Sequence, residues 1–267
     1  AQRTAGTAWF GVPLPPGSGD PHRAIVDVSR LAPSPALVPP GEEGWRDLSG
    51  ARIYQDVERI VEFSKADAAA GTRAWGRVSG FPSAVAAFEW GAEQLRAAGL
   101  RDVAVQQYEG TGTMWTARSW EATLLAAPSF GAESRPVVLA SAIPTSGSFI
   151  DGGRLTGVLV DTGNTSTELS AALDVRGKIA VQRVTPASGA YSERGRTTLR
   201  AREMTTRGAL AVINIVEQTG NMEIRDFSNC GGPCFNLGTA DGAFLASVIQ
   251  KAAEAHLSSD LHMRLSL

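Results

Sequence analysis

Three histidines, two cysteines and a knot of arginines are the groups in this 267-residue chain that could do chemistry, and their spacing limits what that chemistry can be. His22 lies in Asp20-Pro-His-Arg, His256 in Glu254-Ala-His-Leu and His262 in Leu261-His-Met-Arg. A metal ion that activates water needs several His, Cys or carboxylate ligands converging on one point. None of the three histidines stands in His-x-Asp, His-Glu-x-x-His or His-x-x-Glu-His, so none brings co-ligands with it. His256 reads as an exposed helix-end residue and His262 as an alternating residue of a terminal strand. Neither a Gly-x-Ser-x-Gly elbow nor a Gly-x-x-x-x-Gly-Lys phosphate loop occurs, and Gly110-Thr-Gly-Thr-Met is too short for a dinucleotide fingerprint. The adjacent Glu42 and Glu43 read as a solvated turn. The expectation is a chain with no catalytic residue and no metal ligand of its own.

The cysteines form Cys230-Gly-Gly-Pro-Cys234. A disulfide across three residues is feasible in an oxidising compartment, and closing so small a loop contributes about 2 kcal/mol. The rival reading, half of a zinc site, needs further Cys or His ligands that this loop lacks. The expectation is a disulfide between Cys230 and Cys234. Arg194, Arg196, Arg200, Arg202 and Arg207 crowd beside the loop 185–193. Arg196 and Arg200 are four apart, which puts two guanidinium forks on one helix face. A solvated face, with pairs such as Arg200 and Glu203, is the other reading. Asn164-Thr-Ser166 matches a glycosylation acceptor, informative only where the source glycosylates.

The elements that hold these groups follow from the apolar pattern. Val158–Val160, Ile179–Val181 and Leu210–Ile215 have the length and β-branching of strands. Thr197–Arg207 holds no Gly or Pro and predicts a helix, with Gly208 at its stop. Upstream, Ile53, Val57, Ile60, Val61 and Ser64 recur at helical steps and predict a helix over 53–66. Pro82 opens a second helix that runs to Gly99. Strands are predicted over 103–108 and 119–126, a helix over 243–255 and a closing strand over 261–267. Residues 1–50, rich in Pro, Gly and Ser, predict an extended arm that Trp9, Phe10, Ile25, Val26 and Trp45 anchor to a surface.

Composition bounds the function classes. A formal charge of −2, with 43% hydrophobic and 19% charged residues, describes an ordinary globular chain. That balance argues against nucleic acid, and no apolar run reaches the ~20 residues of a membrane-crossing helix. Lysine occurs only at 65, 178 and 251, a codon-composition effect. The start at Ala1, without Met or an apolar signal core, fits either a mature form after signal removal or a trimmed chain.

Gly157-Val-Leu-Val-Asp161, Asp174-Val-Arg-Gly-Lys-Ile-Ala-Val181, the helix leading into Gly208-Ala209, and Asn236-Leu-Gly-Thr-Ala-Asp-Gly-Ala-Phe-Leu245 together resemble the protease-associated domain of zinc exopeptidases. The upstream order of helix, loop, helix and strand, with Arg77-Val-Ser-Gly-Phe-Pro-Ser83, is similar to the start of the peptidase domain of the aminopeptidase and glutamate-carboxypeptidase-like family. The resemblance covers about residues 51–267 and implies a mixed α+β fold, with a β-rich protease-associated domain inserted in an incomplete α/β peptidase domain. The divisions it implies are an arm over 1–50, first peptidase-like elements over 51–133, the protease-associated domain over 134–242, and a return over 243–267. It also implies that an Arg of the Arg194, Arg196 and Arg200 group meets a peptide substrate.

The leading expectation is therefore the non-catalytic N-terminal portion of a secreted or periplasmic zinc exopeptidase. The partner is a complementary catalytic chain that holds the zinc, and neither nucleic acid nor a membrane span is involved. Two alternatives stand beside it: a freestanding protein- or peptide-binding module, and an enzyme of unrecognised mechanism with the Arg cluster as its anion site.

Overall fold

The computed structural model describes residues 8–15, 40–48, 50–73, 76–110, 114–131, 134–185, 190–218, 220–224 and 229–267, without the side chains of 8, 46–48 and 190–194. His22, Ile25, Val26 and most of the arm lie outside the described residues. The chain divides into two compact units, 1–26 with 119–267, and 27–118.

That sheet belongs to the first unit and is built from eight strands: β1 (Glu121–Leu124), β2 (Val137–Val138), β3 (Ile143–Pro144), β4 (Arg154–Asn164), β5 (Lys178–Val184), β6 (Ala211–Val216), β7 (Cys234–Leu237) and β8 (His262–Ser266). Their spatial order is β2-β1-β8-β4-β5-β6-β7-β3, so β1 and β8 lie in the same sheet as β4 to β7. β4 to β7 run parallel, whereas β8 lies antiparallel between β1 and β4. Two helices serve this sheet, α3 (Ala190–Thr206) and α4 (Thr239–Glu254). Covered strands lose the polar half of the usual alternation, and all six residues of β6 are buried.

The pleat sorts the core into two faces. Ala180 and Val212 pack with Ala201 and Met204 of α3. The opposite face, with Ile213, Ile215 and Leu237, receives Phe244, Leu245 and Val248 of α4. α3 starts seven residues before the expected helix and ends as predicted: Gly208, at φ +94, returns the amides of Gly208 and Ala209 to Thr205 and Met204. The start of the arm is anchored within the first unit, whereas Trp45, expected as an anchor, is exposed. Trp9 is fully buried, stacked on Phe130 at 5.3 Å with Phe244 edge-on at 6.3 Å, and its indole N–H donates to the Arg135 carbonyl at 3.1 Å.

The second unit contains α1 (Gly50–Ala69) and α2 (Pro82–Ala97), which pack on one another near Phe63 and Trp90. Of the whole of α1 only Ser64 is buried, while Ile53 is 51% and Val57 47% exposed. Phe88 and Leu95 of α2 are likewise exposed. Residues 103–108 form no strand, contrary to the expectation from their alternation. An alternating pattern settles as a strand only with a neighbour to pair and a face to bury, and Ala104 to Tyr108 are all exposed.

Candidate functional site

In open α/β sheets, ligands gather at the carboxyl ends of parallel strands. Here β4, β5 and β6 end beside α4 at a groove of about 570 Å³. Its polar lining includes Asp161, Arg183 and Glu217, and its apolar lining Ile215, Gly242 and Ala246. Arg183 reaches Asp161 at 3.3 Å, with both side chains 39% exposed, so the rim pair contributes little to stability. Thr185 gives its hydroxyl proton to Glu217 and accepts one from Asn164, which links the three strand ends. The groove offers hydrogen-bonding groups and a small-residue wall.

Below these ends the arginines separate. Arg196 is exposed on α3, whereas Arg200, one turn on, is buried at 6%. Arg200 donates through Nη1 to the Thr167 carbonyl at 3.0 Å and through Nη2 to the Thr162 carbonyl, fastening the end of β4 and the turn after it to α3. Burial holds its pKa below the ordinary arginine value, with Glu203 and Asp161 partly compensating. Arg207 bonds the Ser170 carbonyl and Glu203, and the side chain of Arg194 lies outside the described set. The anticipated face of two presented forks therefore resolves into one exposed arginine and one committed to main-chain carbonyls.

Two polar clusters went unread in the sequence. Asp241 is fully buried in the first turn of α4. Its Oδ2 accepts the Ser141 amide at 2.7 Å and the Ser141 hydroxyl at 2.6 Å, while Asn221 Oδ1 accepts the Asp241 amide at 3.0 Å. Burial pushes the carboxyl above the ordinary Asp value, against the pull of the Ser141 donors. Its role is to tie three chain segments together at one helix start. The second cluster is an amide ladder across β5, β6 and β7. Gln182 donates to Asn214 at 2.7 Å and Asn214 to Asn236 at 3.0 Å, with all three fully buried in register. The available signal was a lone amide inside each apolar run.

Cys230 and Cys234 are buried 3.2 Å apart and are not joined by a disulfide, which corrects the expected pairing. A bond needs the sulfurs at about 2.05 Å. The hydrogen bond with Cys234, and then burial, push the Cys230 thiol up. His256 is exposed just past α4, and His262 on β8 places Nδ1 3.0 Å from the Asp260 carbonyl. Among the described residues no group of three or more His, Cys, Asp or Glu could hold a metal ion, and no helix is long and apolar enough to cross a membrane.

No protein-family model matches the chain, and no curated protein matches it. Among solved structures, the aminopeptidase from Aneurinibacillus sp. strain AM-1 is similar at 17% identity and a TM-score of 0.40, over 80% of this chain and 43% of that one. BSAP, a zinc aminopeptidase from Bacillus subtilis, is similar at 21% identity and a TM-score of 0.42, over 80% of this chain and 42% of its own. The chain thus spans less than half the length of either structure.

Proposed function

We propose that this chain is the non-catalytic N-terminal portion of a secreted or periplasmic zinc exopeptidase. In this reading the β-rich unit acts as a lid, substrate-access or assembly element, and a complementary peptidase segment holds the zinc and the catalytic groups. The observation that carries it is α1, a 20-residue helix with Ile53 and Val57 about half exposed and only Ser64 buried. Apolar faces of this kind call for a covering partner, and the family resemblance of the sequence gives that partner's class. Of Arg194, Arg196 and Arg200, the first two remain the residues to meet a peptide substrate, with Arg200 holding the adjoining turn in place.

Native purification from the source, followed by sequencing of whatever accompanies α1, tests the proposal. The expected result is a segment bearing His-x-Asp, with peptidase activity that a chelator abolishes. Residues 1–267 behaving alone as a stable monomer that binds no apolar dye would overturn it. The groove at the ends of β4 to β6 favours the second reading, a freestanding peptide-binding module. Native material that carries no peptidase segment at any salt concentration selects that reading.

A further inference from the structure

We propose that the groove beside α4 is a docking site for a helix of another polypeptide, one with basic, acidic and basic side chains at positions i, i+4 and i+7 of one face. The groove is walled by a flank of α4 and floored by the carboxyl ends of β4, β5 and β6. The start of α4 is tied to the end of β6, where Thr239 donates to the Val216 carbonyl at 3.3 Å, and the helix also touches β4. α4 therefore crosses the three strand ends in turn, and so does any helix laid along its flank.

The sheet calls for a helix there. Parallel strands are covered by helices on both faces, and α4 is the one α-helix on its face among the described residues of this unit. The flank it turns to the groove is small: Ala243, Ser247 and Ala253 are exposed and Ala246 is half-buried. Ser247 returns its hydroxyl proton to the Ala243 carbonyl at 2.8 Å, so the wall makes no polar demand on an occupant. Helix axes pack about 8–10 Å apart, closest where the facing side chains are short.

The charges set the pattern of the occupant. Asp161 on β4, Arg183 on β5 and Glu217 just past β6 are the charged residues of the lining, in the order acid, base, acid. Neighbouring strands lie about 4.8 Å apart, so the two outer strands are separated by about 9.6 Å. A helix rises about 6 Å over four residues and about 10.5 Å over seven, which brings i, i+4 and i+7 opposite the three in turn. The acids are already oriented: Asp161 accepts the Gly163 amide at 2.8 Å and Arg183 at 3.3 Å, and Glu217 accepts the Thr185 hydroxyl. Two acids against one base favour a partner of net positive charge. The inference supplies the chemistry of a partner for an assembly element and for a freestanding module alike, and neither the zinc nor α1 enters it.

The experiment titrates the full chain, labelled with nitrogen-15, with alanine-based peptides of about 18 residues, long enough to hold a helix in water. One peptide carries Lys, Glu and Lys at i, i+4 and i+7, and the other Glu, Lys and Glu. The first should shift the amides of α4 and of residues 161–163, 183–185 and 217 saturably. It should bind at least about 10-fold more tightly than the second, since one exposed ion pair is worth up to about five-fold and three are reversed. High salt should narrow the difference. The surface variant D161K/R183E/E217K should exchange the preference, and A246F, which fills the groove, should remove binding of both. A wild-type chain that binds neither peptide, or both equally, overturns the proposal. So does a shift map away from the groove, or equal binding by the first peptide with a helix-breaking proline at its centre. None of these failures touches the peptidase reading, which native purification tests.

Discussion

Replacing Gly242 with alanine sets a methyl group against β6. The new Cβ would stand 2.1 Å from Ile215 Cγ2 and 3.1 Å from Ile215 Cβ. Carbon atoms settle at about 3.5–4.0 Å, so α4 must lift from the sheet or Ile215 must abandon its rotamer. Two effects oppose each other. Helix propensity favours alanine over glycine by about 1 kcal/mol, and overpacking a close core costs about 1–3 kcal/mol. An overlap beyond about 1 Å, on a branched carbon with no free end to swing away, puts the cost near the top of that range. The net expectation is a loss of about 1–2 kcal/mol, or about 2–8 °C in Tm for a unit of this size. Urea denaturation of G242A measures it. The decisive comparison is the same substitution in an I215A background, where the obstructing Cγ2 is gone. There G242A should become neutral or stabilising, giving a coupling of about 2 kcal/mol between the two sites. Equal destabilisation in both backgrounds, or a gain in the wild type, would refute the contact between α4 and Ile215.

Three further outcomes follow from the described geometry. W9A removes a fully buried ring from between Phe130 and Phe244, and should cost about 3–5 kcal/mol in denaturant unfolding. Because burial raises the pKa of Asp241, the folded state keeps this proton longer than the unfolded state, whose ordinary value is 3.8. The contribution of Asp241 is therefore most favourable below that value and declines as pH rises through the folded-state pKa. D241N should flatten this part of a stability–pH profile. R200L removes two charged hydrogen bonds to the carbonyls of Thr162 and Thr167 while relieving a buried charge. A net loss of about 2 kcal/mol is expected, with faster hydrogen exchange confined first to residues 163–167.

The parallel strands were legible because covered strands are written as unbroken apolar runs: Ile179–Val181 lies inside β5, which runs three residues further, and Leu210–Ile215 matches β6 within one residue at each end. α1 and α2 were legible from their stripes, and the close of α3 from Gly208. What escaped depended on partners distant in sequence. The 103–108 stretch has the alternation of a strand, but among the described residues no strand pairs with it, and alternation alone does not supply one. Nothing local marks Arg200 as buried rather than solvated, since its two acceptors are carbonyls 33 and 38 residues away. Asp241 looked like an ordinary acidic residue in a first helical turn, and its confinement comes from Ser141, a hundred residues earlier.

The position of β8 bears on how this protein is made. Residues 262–266 occupy the interior of the sheet, flanked by β1 and β4, and Arg264 bonds Glu121 across 143 residues. Until that segment leaves the ribosome, both flanking strands present bare amide edges of the kind that recruit foreign chains. Assembly of the sheet thus pairs segments distant in sequence, at high contact order, and until β8 is in place the apolar runs of β4 to β6 stand open to aggregation. A substitution that unsettled residues 262–266 would loosen a central stave of the sheet and both of its neighbours.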